Sequence, residues 1–137
     1  MQGKIALEEH FAIEETLDEA WAFAGDSGKW NEFTRDILEL GTTRLGHMDD
    51  AGIELAVLSL HAPGIQGIAD PVEALAIAHK ANNRLADAVA SHSERYAAFA
   101  ALPMHDADIA VKELIRCVTE LGFKGCMVNG FQQVGDK

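Results

Sequence analysis

The stretch IELAVLSL at residues 53–60 is a nearly continuous apolar run with the length of one β-strand. Such a run predicts a strand that is covered on both faces, as the strands of parallel sheets are. Immediately before it, residues 43–51 carry Leu45 and Met48 at helical spacing, and Gly52 can take the left-handed conformation that ends a helix. The sequence here therefore predicts a helix that leads directly into a buried parallel strand.

Upstream of this strand the pattern is less regular. Residues 4–11 (KIALEEHF) alternate as a strand does, which places Glu8 and His10 on one face. The long stretch 12–41 follows, and a stretch of this length after a strand is often functional. At least one helix inside it is predicted from apolar residues at helical spacing: Trp30, Phe33, Ile37 and Leu38.

Downstream, helix and strand patterns alternate. Asp70, Pro71 and Glu73 fit the N-cap, N1 and N3 positions of a helix. The inner face of this helix is predicted to consist of Leu75, Ala78, His79, Asn82, Leu85, Ala86 and Val89. Residues 96–102 (YAAFAAL) then predict a short strand, which Pro103 ends.

A further unit of the same kind begins at Asp106, which caps a helix that Gly122 closes. Its inner face is predicted to consist of Ala110, Leu114, Cys117, Val118 and Leu121. Residues 123–129 (FKGCMVN) predict the last strand. Strands that alternate with helices in this way predict an α/β fold with a parallel sheet and right-handed crossovers.

Periodicity leaves two architectures open: a small open doubly wound sheet, or half of an eight-stranded barrel. A complete open-sheet domain would end with a helix that covers its last strand, whereas residues 135–137 read as a loop. We therefore expect residues 1–137 to form a single partial domain.

Composition and charge narrow the classes of function. The chain is 48% hydrophobic with a formal net charge of −11, and residues 1–50 hold twelve acidic against four basic side chains. Because this charge repels phosphate backbones and anionic lipids, we expect neither nucleic acid nor membrane as a partner.

The sequence shows no signal peptide and no apolar run of about 20 residues, so we expect a cytoplasmic protein. Cys117 and Cys126 form no metal-binding or redox spacing and are expected to be free thiols.

Glu8 and His10 are the first candidates for chemistry. They lie two residues apart near the carboxyl end of the first strand, so their side chains should point the same way, into the interior of a barrel. A carboxylate and an imidazole suit a divalent ion such as zinc or manganese, but a site needs about four ligands, so others must come from elsewhere. From spacing alone, a solvated strand end is the competing interpretation.

Other candidates lie where predicted strands end. His61 follows the second strand, with Ala62 and Pro63 in a constrained turn, at the rim where barrel enzymes place their sites. Asn129 ends the last strand and could hydrogen-bond a carboxylate or a phenol. Phe23, in the long insertion, could fold over an aromatic ring. For each of them a plain turn, connection or core position is the alternative.

The sequence also resembles a known family through an ordered series of segments. These are LEEHF (7–11), RLGHMDDAGIELAVLSLHAPGIQ (44–66), AAFAALPMHD (97–106) and ELIRCVTELGFKGCMVNGF (113–131). They are similar to the γ-resorcylate and 2,3-dihydroxybenzoate decarboxylases, in the aminocarboxymuconate semialdehyde decarboxylase branch of the amidohydrolase superfamily. The resemblance implies the N-terminal (β/α)4 half of a metal-dependent (β/α)8 TIM barrel.

The resemblance implies an activity as well: ring protonation and then loss of CO2 from a small aromatic carboxylic acid with an ortho hydroxyl group. It implies that Glu8 and His10 are metal ligands. By location, it implies substrate-binding roles for Phe23, for His61, Ala62 and Pro63, and for Asn129. In such enzymes a histidine from the fifth strand and an aspartate from the eighth complete the metal site. That aspartate also assists proton transfer, and both residues are expected beyond Lys137.

Two other hypotheses remain. Half a barrel would expose an apolar sheet with two unpaired edges, so the chain by itself is expected to self-associate, as a homo-oligomer, and to lack decarboxylase activity. It could instead be a noncatalytic half-barrel that pairs with itself or with another subunit, with Glu8 and His10 as a structural pair. A hydrolase of the same superfamily is the other alternative, although such hydrolases more often carry HxH on the first strand.

Overall fold

The computed structural model of the protein describes residues 3–24 and 28–130, apart from the side chains of residues 19 and 22–24. The strands in these ranges are β1 (Lys4–Phe11), β2 (Ile53–Leu60), β3 (Tyr96–Ala100) and β4 (Gly125–Cys126). The α-helices are α1 (Leu17–Ala24), α2 (Trp30–Leu38), α3 (Thr42–Ala51), α4 (Pro71–Ser91) and α5 (Ala107–Thr119). Short 3-10 helices, Glu14–Thr16 and Gly64–Gly67, follow β1 and β2. Each predicted strand and helix is present.

The four strands of the described chain form one parallel sheet in the order β1-β2-β3-β4. Helices connect successive strands, which confirms the predicted α/β architecture with a parallel sheet. Because the strands are parallel, their carboxyl ends meet at one edge of the sheet. We call this edge the C-terminal rim; it comprises the residues that directly follow Phe11, Leu60, Ala100 and Cys126.

Local signals at the helix ends act as the sequence predicts. The carboxylate of Asp70 accepts hydrogen bonds from the N–H groups of Val72 and Glu73 at 2.9 and 2.8 Å, so it caps α4. Asp106 caps α5 in the same way. Gly52 ends α3 with φ = +69°, in the left-handed region that favours glycine.

No α-helix in the described ranges combines the length and apolar character that a bilayer span requires.

The hydrophobic core lies where the sheet meets its helices. One buried cluster joins alternate residues of β2 and β3 to small residues of α4: Ala56, Leu58, Leu60, Tyr96, Ala98, Ala100, Ala74, Ala78, Ala81 and Leu85. Alanines on this face let the helix approach the sheet closely. Consequently α4 turns its alanines inward, and the prediction that His79 lies on the inner face is wrong: its side chain is 47% exposed.

The inner face of α5 also departs from the prediction. Val118 was expected inside but is 43% exposed, while Glu113 is 2% exposed. Arg116 makes two hydrogen bonds of 2.8 Å to the Glu113 carboxylate. Asn82 donates to it at 2.7 Å, and His79 Nε2 lies 2.9 Å from it. A buried carboxylate is tolerated here because its oxygens have several hydrogen-bond partners.

The carboxylate also affects a neighbouring thiol. Burial and the charge of Glu113 raise the pKa of Cys117 to about 12. Cys117 and Cys126 are both free, as predicted. Since the thiolate is the reactive form, Cys117 is an unreactive core residue at neutral pH.

Strands β3 and β4 are both shorter than predicted. The predicted strands spanned residues 96–102 and 123–129. The Asn82 side chain of α4 donates to the carbonyl of Ala101 at 2.9 Å and accepts the N–H of Ala101 at 2.9 Å. Asn82 therefore holds both peptide groups of Ala101, the residue that directly follows β3. Within the described residues, the pairing of β4 with β3 is limited to Gly125–Cys126.

Strand β1 contains an irregularity that its alternating sequence did not predict. Ala6 pairs with Ala56 and Glu9 pairs with Leu58, so Leu7 and Glu8 together lie opposite Val57. This two-against-one pairing is a β-bulge, a feature common beside functional sites because it changes the direction of side chains.

Candidate metal and substrate site

The topology brings most of the predicted site residues to the carboxyl side of the sheet. Glu8 and His10 lie in the second half of β1, His61 directly follows β2, and Asn129 lies shortly after β4. Phe23 belongs to α1, but its side chain lies outside the described part of the structure. Neighbouring parallel strands therefore place a carboxylate, two imidazoles and an amide near the C-terminal rim.

His10 is held from the neighbouring strand. It pairs with Ser59 of β2, and its Nδ1 lies 3.1 Å from the Ser59 hydroxyl. The His10 residue is half-buried, and its Nε2 makes no hydrogen bond to any described residue. Glu8 is exposed and has no hydrogen bond or ion pair within the described ranges. Both side chains thus keep lone pairs that a cation could use.

These two side chains cannot complete a metal site by themselves. No group of three or more His, Cys, Asp and Glu side chains within residues 3–24 and 28–130 is arranged to hold a metal ion. A catalytic divalent ion needs at least three protein ligands in most enzymes. That Glu8 and His10 are metal ligands therefore stays a prediction, which requires further ligands from outside the described residues.

His61 is buried at the rim, with 5% of its surface exposed, and both ring nitrogens have partners. Nδ1 lies 2.9 Å from the carbonyl oxygen of Ala62, and Nε2 lies 3.0 Å from the hydroxyl of Thr16. A carbonyl only accepts, so Nδ1 carries the proton. Burial lowers the pKa of His61, and the charge of nearby His10 adds to this effect. In a neutral ring Nε2 then carries no proton, and the Thr16 hydroxyl lies 3.0 Å from it and 3.2 Å from the carbonyl oxygen of Ile13.

Asn129 is joined to the loop after β2 by a side chain that sequence reasoning missed, Gln66. The Gln66 amide donates to the carbonyl of Asn129 at 3.1 Å and accepts the N–H of Asn129. The Asn129 side chain in turn donates to the carbonyl of Pro63 at 3.1 Å. No sequence pattern marks Gln66, since its partner is 63 positions away. The loop after β2 and the segment after β4 are therefore fastened together.

We expect Gln66→Ala to lower the free energy of unfolding by about 1–3 kcal/mol, because it removes two hydrogen bonds to the part-buried peptide groups of Asn129. Urea denaturation measures this loss. Asn31→Ala is the matched control, since Asn31 is an exposed amide on α2, and it should change stability by less than about 0.5 kcal/mol. Equal stability of the two variants would contradict the role given to Gln66.

Little space is enclosed where β2, β3 and β4 end. A cavity of about 10 Å³ lies among residues of this rim that include Leu60, His61, Ala101 and Asn129. Small-molecule pockets usually measure about 300–1,000 Å³. These lining residues can therefore form one wall of a substrate pocket, but they do not enclose one.

The sequence matches the family described as "Amidohydrolase" over residues 19–137. It is 52% identical over 137 residues to the γ-resorcylate decarboxylase of Rhizobium radiobacter, a match that covers 99% of this chain and 41% of the relative. It is 50% identical over 133 residues to the γ-resorcylate decarboxylase of Polaromonas sp. (strain JS666), with 97% and 40% covered. The chain thus spans about two fifths of the length of these relatives.

Solved structures agree with this match. One is a 2,6-dihydroxybenzoate decarboxylase complexed with 2,6-dihydroxybenzoate, with a TM-score of 0.95, 51% identity, and coverage of 99% of this chain and 42% of that chain. Another, a dihydroxybenzoic acid decarboxylase from Polaromonas sp. JS666, holds manganese and the inhibitor 2-nitroresorcinol. It has a TM-score of 0.95, 49% identity, and coverage of 100% and 41%. These matches confirm the prediction that the chain forms the N-terminal half of a (β/α)8 barrel.

Proposed function

Since the chain belongs to the amidohydrolase family, we propose that its protein is a metal-dependent carboxy-lyase that acts on a hydroxybenzoate-type aromatic acid. The observation that carries the proposal is 52% identity to a γ-resorcylate decarboxylase across 99% of this chain. In the proposed reaction a proton replaces the carboxylate ortho to a phenolic hydroxyl, and CO2 leaves. The chain supplies the first half of the barrel, and a proton-transfer aspartate and further ligands come from the second half.

Glu8 and His10 would hold the divalent ion, and this ion would be zinc or manganese. The donor set fits either metal, because both accept carboxylate and imidazole ligands. The structure supports this assignment through the exposed carboxylate of Glu8 and through Nε2 of His10, which has no hydrogen-bond partner in residues 3–24 and 28–130. A bound ion would supply a template and a Lewis acid for the carboxylate and phenolate of the substrate. It would also offset the repulsion between an anionic substrate and a chain whose net charge is −11.

The remaining predicted site residues would shape the pocket around the ring of the substrate: Phe23, His61, Ala62, Pro63 and Asn129. His61 would contribute a neutral, fixed surface, because its two nitrogens already bind Ala62 and Thr16. It is therefore a poor proton donor.

Proton delivery to the ring carbon must precede loss of CO2, since the departing group would otherwise leave electrons in a ring orbital that cannot delocalise them. This requirement supports a separate acid elsewhere in the barrel.

Turnover of 2,6-dihydroxybenzoate tests the proposal. The protein with its whole barrel should convert the substrate to 1,3-dihydroxybenzene and CO2, and the products can be followed by chromatography. Removing the metal with a chelator should lower turnover by at least about 100-fold, and manganese or zinc should restore it. Unchanged turnover in the metal-free protein would contradict metal dependence.

The isolated 137-residue chain is a second arm of the same assay. It should show no turnover, because the proton donor and the remaining metal ligands are absent from it. Robust turnover by the isolated chain would contradict the proposal that the second half of the barrel is needed. A defined dimer that binds no metal would instead support a noncatalytic half-barrel.

A further inference from the structure

Ser59 is an unexpected side chain in the middle of a buried apolar strand. In the run IELAVLSL it is the only hydroxyl, and it is 0% exposed. A buried hydroxyl that lacks a hydrogen-bond partner is costly, by about 1–3 kcal/mol in proteins. Its partner is Nδ1 of His10, at 3.1 Å. The choice of serine in this strand is therefore explained by the imidazole that it contacts.

The same contact determines which nitrogen of His10 can bind a cation. A neutral imidazole carries one N–H, and a metal ion binds the nitrogen without the proton. Ser59 occupies the Nδ1 side, whereas Nε2 has no partner among the described residues. With an ion on Nε2, the proton resides on Nδ1 and is donated to the Ser59 hydroxyl oxygen. The hydroxyl thus fixes the direction of the ring and, because it can accept as well as donate, it serves the tautomer that an ion on Nε2 requires.

Ser59 is also well placed to hold the ring still. It belongs to β2, which pairs with strands on both sides, whereas β1 carries the bulge at Leu7 and Glu8 just before His10. The register is regular again from Glu9 to Phe11, and the contact from Ser59 adds a constraint on the imidazole ring beyond the backbone pairing. Side chains that orient a metal ligand in this way usually influence metal affinity.

We propose that Ser59 is a positioning residue: its hydroxyl accepts the Nδ1–H of His10 and thereby presents Nε2 to the divalent ion. The inference rests on the proposed function, because it takes His10 as a metal ligand. It goes further by assigning a specific task to a side chain on another strand, which itself touches neither metal nor substrate.

The test measures manganese affinity with the protein carrying its whole barrel. Metal-free protein is titrated with Mn²⁺, and the free ion is followed by its electron paramagnetic resonance signal. Ser59→Ala should weaken binding by about 10–100-fold, the range typical of residues that support a metal ligand. Ser91→Ala is the matched control, because it removes the hydroxyl bonded to the Asp87 carbonyl on the exposed side of α4. It should leave affinity unchanged.

A second readout monitors the hydrogen bond itself. In zinc-loaded protein with ¹⁵N-labelled histidine, the Nδ1–H of His10 should exchange slowly with water, and Ser59→Ala should make it exchange faster. Ser59→Thr, which keeps the hydroxyl, should retain the slow exchange and most of the affinity. Unfolding curves of the metal-free variants show whether each variant is folded.

Two results would overturn the inference in different ways. If Ser59→Ala binds Mn²⁺ as tightly as the unmodified protein, and only its unfolding midpoint falls, Ser59 has a purely structural role. The proposed function would then stand. If the unmodified protein neither binds Mn²⁺ nor decarboxylates 2,6-dihydroxybenzoate, His10 is not a ligand, and the proposed function falls together with the inference.

Discussion

Replacing Glu113 by alanine should lower the free energy of unfolding by about 3 kcal/mol. The substitution removes a carboxylate that accepts hydrogen bonds from Arg116 and Asn82 and leaves a space in the core. Loss of one member of a buried ion pair costs about 3–5 kcal/mol, and the Arg116 side chain, being 25% exposed, can recover some hydration. The low end of the range is therefore expected. Urea denaturation of the variant provides the measurement.

Glu120→Ala is the control for this substitution, because Glu120 is an exposed carboxylate at the end of the same helix. It should change stability by less than about 0.5 kcal/mol. A loss for Glu113→Ala that is no larger than the loss for the control would show that the buried carboxylate contributes little.

The contribution of Glu113 to the free energy of unfolding should also depend on pH. Burial acts to raise the pKa of Glu113, but the hydrogen bonds from Arg116 and Asn82 and the charge of His79 outweigh it, so the pKa is lowered. The folded protein therefore keeps the carboxylate ionised at pH values where the unfolded chain binds a proton. Its stabilisation is complete above the ordinary glutamate pKa of about 4.3 and is lost as the pH falls through the lowered value. Accordingly, the stability difference between the protein and Glu113→Gln should shrink in acid. A difference independent of pH would contradict this account.

Replacing His10 by alanine should lower turnover of 2,6-dihydroxybenzoate by at least about 100-fold. Residues that only support a ligand typically account for about 10–100-fold, so loss of the ligand itself should exceed that range. Bound manganese, measured by elemental analysis, should fall in parallel, while circular dichroism should remain unchanged. His47→Ala is the control, since His47 is an exposed imidazole on α3 and should retain both metal and turnover. A His10→Ala protein that keeps its manganese and its turnover would remove His10 from the metal site.

Most of the fold could be predicted because its signals are local. The apolar run at residues 53–60, the capping residues Asp70 and Asp106 and the glycine at position 52 each act through a few neighbours along the chain. The bulge at Leu7 and Glu8 could not be predicted in this way, because it depends on how β1 and β2 pair.

The contacts within the site are mostly long-range, which limits sequence reasoning there. His61 could be placed at the rim because it follows a strand, but its partner Thr16 is 45 positions away. Glu113 was missed because a carboxylate on an inward helix face is acceptable only with the partners that Asn82 and Arg116 bring to it. The metal-ligand roles of Glu8 and His10 came from the family resemblance and remain predictions.

Asn82 links the outer helical layer to the rim of the sheet. Its side chain presents the two hydrogen-bonding groups of an amide to Ala101, and so takes the place that a neighbouring strand would otherwise occupy. The same amide donates to Glu113, so α4, α5 and the end of β3 share one residue. A substitution in α4 or α5 can therefore displace the end of β3 at the C-terminal rim, without altering any residue of the rim itself.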